Sequence, residues 1–307
     1  KGIAHEYAHK GNHIITSTVE HHAVMDTCVA LEEEGFEITY LPVDCYGMVR
    51  TDRVESAITN RTILISLIYA NNEVGSINSI SEIGKIARRH GVLFHSDAVQ
   101  GLGKIDSDVD MLGLDLMSLT AHKIYGPKGI GALYIRQADP RIKLHPIMHG
   151  GGQEHDLRPG TLNVPGIVGF GEACNLSREL MAEESKRICA LRNRLYDALL
   201  NEIEDIYLNG HPEKRLPGNL NISSKFVESR SLISGLNNIA LSTGSACNFG
   251  ANHASHVLLA MGLEEQLAHT AVRLGLGRYT TEEEVSIVID AVVEAVARLR
   301  KLSPIDE

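Results

Sequence analysis

Residues 92–123 read VLFHSDAVQGLGKIDSDVDMLGLDLMSLTAHK. Two apolar runs, VLFHSDAV and LDLMSLT, have the length and composition of buried strands. The first carries Asp97 near its end, and the second runs out into Thr120, His122 and Lys123. In open α/β sheets, ligands bind outside the carboxyl ends of the strands. An acid and an amine at two such ends therefore mark a candidate crevice. A carboxylate there requires a cation or strong hydrogen bonds, because unpaired burial is costly. Taken alone, Asp97 reads equally well as a helix N-cap. A lysine in a crevice is partly desolvated, which moves its amine toward the nucleophilic free base, although most lysines are solvated surface groups. The Gly/Pro-rich tail YGPKGIG (125–131) lets the backbone turn sharply and approach a ligand closely.

The alternation extends in both directions. HIITST (13–18) is a short β-rich run, AVMDTCVALEEEG (23–35) a helix closed by Gly35, and FEITYLPV (36–43) another strand. A helical stretch follows Thr51. TILISLIYA (62–70) is apolar enough for a strand buried on both faces. Ser79 and Glu82 have capping-box spacing before IGKIARRHG, and GIGALYI (129–135) is a further strand. The pattern predicts an α/β fold with a mainly parallel sheet covered by helices. Past residue 165 the character changes. Residues 166–203 read as one long helix or two abutting ones. NLNISSKF, a helix near 229–236, IALSTG, a short helix near 254–261, TAVRLGL and a helix over 281–302 follow, with Thr280 and Glu283 at capping-box spacing. The expected division is a large domain over 1–165, then the long helix and a smaller α+β domain over 166–307.

At 307 residues, the chain can bury a substantial core without disulfides or metals. Its 43% hydrophobic and 22% charged residues are those of a soluble globular protein. A net charge of −10 opposes direct nucleic-acid binding by the average surface. No apolar run is long enough to cross a bilayer, and the start shows no secretory pattern. Five widely spaced cysteines without a CxxC pair point to a reducing compartment, most simply the cytosol. Cys28, Cys174 and Cys189 fall within helical periodicity, and Cys45 in a turn. Cys247 differs: it lies in STGSACNFG (242–250), a stretch with little apolar surface, predicted to be a mobile loop over 244–254.

Pyridoxal phosphate requires an amine for its aldehyde and a carboxylate for its pyridinium nitrogen, which Lys123 and Asp97 could supply. With HIITSTVEHHAVMDTC, YANNEVGSI, FHSDAVQGLGK, SLTAHKIYGPKGIGALYIR, HGGGQEHDLRPGT, LPGNLNIS, STGSAC and AVRLGLGRYTTEEE, the chain resembles the cysteine desulfurases. These are class V aminotransferase relatives of PLP fold type I, and the likeness is to their IscS/NifS-like branch. The resemblance implies a large domain with a mainly parallel sheet and a smaller C-terminal domain. It implies Lys123 as the Schiff-base lysine, Asp97 as partner of the pyridinium nitrogen and Gln100 as donor to the phenolic oxygen. His21 matches the ring-stacking, proton-shuttling histidine, and Asn72 a contact to cofactor and substrate. Thr120 and His122 match phosphate contacts, as does Thr161 from the partner subunit, which implies a homodimer. Arg273 matches the clamp on the carboxylate of L-cysteine, and Cys247 the nucleophile that takes its sulfur as a persulfide for acceptor proteins.

The sequence departs from the family pattern in two ways. The family's phosphate-cradling Gly-Ala-Thr loop would lie upstream of KGIAHEY, and the chain begins at Lys1. It is therefore expected to be a cleaved or partial chain, with a cofactor-deficient scaffold as the alternative function. After GSAC the sequence reads NFGANHASHVL, which leaves iron–sulfur cluster assembly, tRNA thiolation and DNA phosphorothioation open as sulfur destinations. A separate motif, HEYAH (5–9), matches the zincin HExxH. It has no third ligand at a recognisable spacing, and no metal is expected.

Overall fold

The apolar runs become strands in the computed structural model, which describes residues 1–137, 139–243 and 254–302. The elements are α1 (Gly2–Tyr7), β1 (His13–Ser17), α2 (His22–Glu33), β2 (Glu37–Leu41), α3 (Thr51–Ala57), β3 (Thr62–Ile68), α4 (Ile80–His90), β4 (Leu93–Asp97), α5 (Val109–Leu112), β5 (Leu116–Thr120) and β6 (Gly131–Ile135). Then come α6 (Val164–Glu202), β7 (Ile206–Asn209), β8 (Asn219–Ser224), α7 (Ser229–Gly235), β9 (Ser242–Thr243), α8 (His256–Ala260), α9 (Glu265–Ala268), β10 (Val272–Gly275) and α10 (Glu282–Leu302). The helical pattern after residue 165 is one uninterrupted helix of 39 residues, α6.

The chain divides into two compact units. The first comprises residues 1–43, 49–70 and 78–180. Its sheet has the order β2-β1-β3-β4-β5-β6, parallel from β2 through β5, with β6 antiparallel to β5. The chain steps from β1 outward to β2, then returns to the other side of β1 as β3. The order thus reverses between β1 and β3, and ligand crevices of such sheets open at that switch point. All five residues of β1 are buried, as both-face coverage by helices requires.

The second unit comprises residues 44–48, 71–77 and 181–307. Its antiparallel sheet has the order β7-β8-β10-β9. Leu191, Leu195 and Leu199, one stripe of α6 at fourfold spacing, pack with Ile222, Val272 and the Val292–Val296 face of α10. The cap of α10 sits one residue later than the spacing predicts. Thr281 Oγ1 accepts from the Glu284 N–H at 3.2 Å, and Glu284 Oε2 accepts from the Thr281 N–H at 2.9 Å. Thr280 instead closes the preceding turn, its Oγ1 accepting from the Gly277 N–H. At α4 the predicted Ser79 cap is made by main chain alone, with no side-chain bond.

Two histidines cross-link the parallel sheet. His13 of β1 bonds Thr39 of β2 at 2.8 Å and Thr62 of β3 at 2.7 Å. His95 of β4 lies between Ser66 of β3 and Ser118 of β5, both at 2.8 Å. A neutral imidazole donates through one nitrogen and accepts through the other, and a hydroxyl can answer either. Burial lowers both pKa values, that of His95 to about 4. A depressed histidine pKa contributes stability that is present above the unfolded value near 6.5 and is lost as pH falls toward 4. Denaturant midpoints across that window should therefore fall more steeply for the native chain than for His95→Gln. Parallel curves would refute the assignment.

Candidate active site

Strand register builds one edge of the site in the first unit. Ile68 and Asp97, the last residues of β3 and β4, stand in register with Ser118 of β5, two residues before that strand ends. Asp97 does not cap a helix. A turn follows it, and its Oδ1 accepts from the Val99 N–H at 3.0 Å. Burial holds the Asp97 carboxyl above its ordinary value, opposed by the Val99 N–H and by the charge of nearby His21. His21 is the N-cap of α2. Its Nδ1 accepts from the Ala23 N–H at 3.1 Å, so the neutral ring carries its proton on Nε2. Gln100 accepts from Lys104 Nζ through Oε1 at 2.9 Å. Beside it Gly101 is required by close approach, since a Cβ there would stand 2.6 Å from the Tyr69 ring.

Lys123 is presented by packing on either side of it. It lies in the 3₁₀ turn His122–Ile124. Ala121 and Ile124 are buried at 0% and 2% exposure against Phe170 and Ala173 of α6. Between these anchors His122 and Lys123 are both exposed. Tyr125 then takes a left-handed φ of 65°, and the Gly126 N–H returns to the Ala121 carbonyl at 2.9 Å. Thr120 Oγ1 lies 2.9 Å from His122 Nδ1. Desolvation, then the charges of Lys123 and Lys128, keep the His122 imidazole below its usual value and so neutral at pH 7. Thr161 is exposed in the irregular segment between β6 and α6.

The second unit assembles a different group. Arg273 of β10 pairs with Asn221 of β8 and Ser242 of β9. Its Nη1 donates to the Asn72 carbonyl at 2.6 Å. Asn72 lies on a turn shaped by Asn71, whose Oδ1 accepts the N–H groups of Glu73 and Val74 at 2.9 and 3.0 Å. Asn219 and Asn221 both donate to the Glu73 carbonyl at 3.1 Å, and the buried Glu73 carboxylate accepts from Ser255 at 2.5 Å. Arg215, 5% exposed, bonds the Val74 carbonyl, and burial lowers its pKa to about 10. The YANNEVGSI and LPGNLNIS stretches contain most of these supporting residues, but spacing alone gave them no role. Cys247 and its loop lie outside the described residues, at 244–253.

The donor set of the first unit fits pyridoxal phosphate. It offers an exposed amine on the turn after one strand, a largely buried acid at the end of the adjacent strand, and a hydroxyl–imidazole pair suited to an anion. The HEYAH motif has a different local use. His5 Nε2 lies 2.6 Å from Glu34, and His9, past the end of α1, bonds the Glu6 carbonyl. Among the described residues, no three His, Cys, Asp or Glu side chains gather as a metal site. Among the same residues, no helix is long and apolar enough to cross a membrane.

The family model described as aminotransferase class-V matches residues 1–288. Over all 307 residues the chain is 49% identical to a cysteine desulfurase IscS of Aeromonas hydrophila, covering 76% of that protein. Over 305 residues it is 52% identical to the IscS of Mannheimia succiniciproducens, covering 99% of this chain and 75% of the relative. A solved NifS-like protein superposes with a TM-score of 0.89 at 35% identity, over 97% of this chain and 78% of that one. A structure described as SspA in complex with cysteine gives 0.77 at 37% identity, over 92% and 78%.

The packing account of the Lys123 turn separates two neighbouring substitutions. Ile124→Ala should cost about 2–4 kcal/mol in denaturant unfolding, as buried large-to-small changes do. Lys123→Ala should stay within about 0.5 kcal/mol. Equal losses would show that the turn is not held by its flanking residues.

Proposed function

The chain belongs to the class-V aminotransferase family, among its cysteine desulfurases, whose cofactor is pyridoxal phosphate; from that premise we propose the roles of its side chains in converting L-cysteine to L-alanine. Lys123 would hold the cofactor aldehyde through Nζ, and as a free amine Nζ would take the substrate α-proton. When bound, pyridoxal phosphate supplies the electron sink that makes this carbon acidic. Asp97 is the partner of the ring nitrogen. His21 would lie against the ring, with Nδ1 engaged by the Ala23 N–H and Nε2 left to carry a proton. Lys104 donates to Gln100 Oε1, which leaves the amide hydrogens of Gln100 as the group that would serve the phenolic oxygen. Thr120, His122 and the partner subunit's Thr161 receive the phosphate.

Arg273 binds the substrate carboxylate, its guanidinium plane fixed by the bond to the Asn72 carbonyl. Asn72 also contacts cofactor and substrate. The Cys247 thiolate then forms an S–S bond with the substrate sulfur as the substrate Cβ–S bond breaks. The electron pair of that bond stays with the carbon, which is protonated to give alanine, and Cys247 keeps the sulfur as a persulfide.

The observation that carries this reading is the pairing of exposed Lys123 with largely buried Asp97 at adjacent strand ends. The protein acts as a cytoplasmic homodimer, in keeping with the exposure of Thr161 and the reduced-thiol pattern. Acceptor proteins take the sulfur. Identities of 49–52% to proteins named IscS favour iron–sulfur cluster assembly over tRNA thiolation or DNA phosphorothioation as its destination. A scaffold without chemistry would have no use for Lys123, Asp97, Arg273 and Cys247 together.

The holoprotein should be yellow and release sulfide from L-cysteine with a reductant. Lys123→Ala should lose the visible band of lysine-bound cofactor, and persistence of that band would misassign the lysine. Cys247→Ser should keep the colour and form no persulfide, so continued turnover would remove Cys247 from the mechanism. Arg273→Ala should raise KM for L-cysteine about 10- to 100-fold through loss of a charged hydrogen bond. An unchanged KM would place the carboxylate elsewhere.

A further inference from the structure

Glu20 is a charged residue type with 0% exposure, in the three-residue connection between β1 and the ring-stacking candidate His21. Its Oε1 accepts two hydrogen bonds. One comes from Ser17 Oγ at 2.7 Å and the other from the Ile68 N–H at 2.9 Å. Ser17 ends β1, and Ile68 ends β3 in register with Asp97. The carboxyl group thus bridges the two strands between which the sheet order reverses, beside the residues given to the cofactor. Ser17 Oγ in turn accepts from the Val19 N–H at 3.3 Å, closing the turn that leads to His21.

We propose that Glu20 is a positioning residue for His21 and Asp97, clamping β1 to β3 at the switch point as a neutral carboxylic acid. Asp97 at the end of β4 and Cys28 of α2 are the titratable groups that interact electrostatically with it, His21 follows it in the chain, and β3 contributes the Ile68 N–H. An ionised Glu20 would set a second carboxylate charge against Asp97 in a buried region. Kept neutral, it leaves Asp97 as the single anion available to a cationic ring nitrogen, a clause that rests on the function proposed above. Burial first, then the Asp97 charge, raises the Glu20 pKa to about 8 against the lowering effects of Ser17 and the Ile68 N–H. The same neighbourhood pushes the Cys28 thiol up to about 11.

A raised carboxyl pKa contributes stability that is complete below the unfolded value near 4.5 and is lost as pH rises through about 8. Unfolding of the cofactor-free chain should therefore show Glu20→Gln gaining on the native chain as pH rises from 5 to 8. The gap should be constant above that. Parallel curves would overturn the neutral acid, whatever the chain's function. Should Glu20→Gln fail to fold, the native chain alone decides. Its infrared spectrum should contain a protonated carboxylic C=O band at pH 7 that disappears as pH passes 8, and absence of the band would overturn the proposal.

Positioning is read separately in the holoprotein. Glu20→Gln should retain pyridoxal phosphate within about twofold of the native affinity. Glu20→Ala, which loses both hydrogen bonds, should weaken it at least about fivefold. Its circular dichroism in the visible cofactor band should also change, because the seat of His21 has moved. Equal retention and equal dichroism in Glu20→Ala would overturn the positioning role. A chain that passes the unfolding and infrared tests but takes up no cofactor would instead refute the function proposed for the site.

Discussion

Main-chain hydrogen bonding between parallel strands is the constraint on which this protein depends. It holds Ile68, Asp97 and Ser118 level across three strands. Parallel strands point every carboxyl end the same way, so residues far apart in sequence meet at one edge. Asp97 terminates β4 there, Thr120 terminates β5, and His122 and Lys123 follow it. The reversal of strand order between β1 and β3 adds the turn bearing Glu20 and His21. Nothing in the side chains themselves demands that an acid and an amine 26 positions apart be neighbours; the ladder does.

The sheet bridges its strands through buried polar side chains. His13 and His95 are enclosed as neutral bridges between hydroxyls, and Glu20 carries a bridge between a hydroxyl and a main-chain N–H. Unpaired buried charge is costly, whereas a neutral group with its hydrogen bonds made is tolerated. These bridges stiffen the sheet across β2, β1, β3, β4 and β5. Lys123 is left exposed by a contrary arrangement, in which its flanking Ala121 and Ile124 are buried and it is not.

The second unit uses backbone carbonyls in place of side-chain acids. Asn72 offers its carbonyl to Arg273, and Glu73 offers its own to Asn219 and Asn221. A neutral acceptor orients a guanidinium without cancelling its charge, so Arg273 remains a cation able to bind an anion. Arg215 is held in the same manner through Val74, but burial makes it a structural strut.

Local physics decided much in advance. Apolar runs of strand length fixed β1, β3, β4 and β5, and helical periodicity fixed α6 and α10, because their burial patterns repeat at the periods of strand and helix. The quoted motifs singled out Asp97, Lys123, His21 and Arg273 as candidates. Where the sequence reading slipped, the choice was between local alternatives of nearly equal energy: Thr281 caps α10 rather than Thr280, and Ser79 makes no side-chain cap. The role of Glu20 was invisible, since a glutamate beside two histidines reads as a solvated turn until Ser17 and Ile68 close over it. The same holds for Glu73, whose partner Ser255 is 182 residues away. Residue type and periodicity are properties of a segment and can be read from it. Burial and the partner of a polar group depend on which distant segments meet, and only the folded chain decides that.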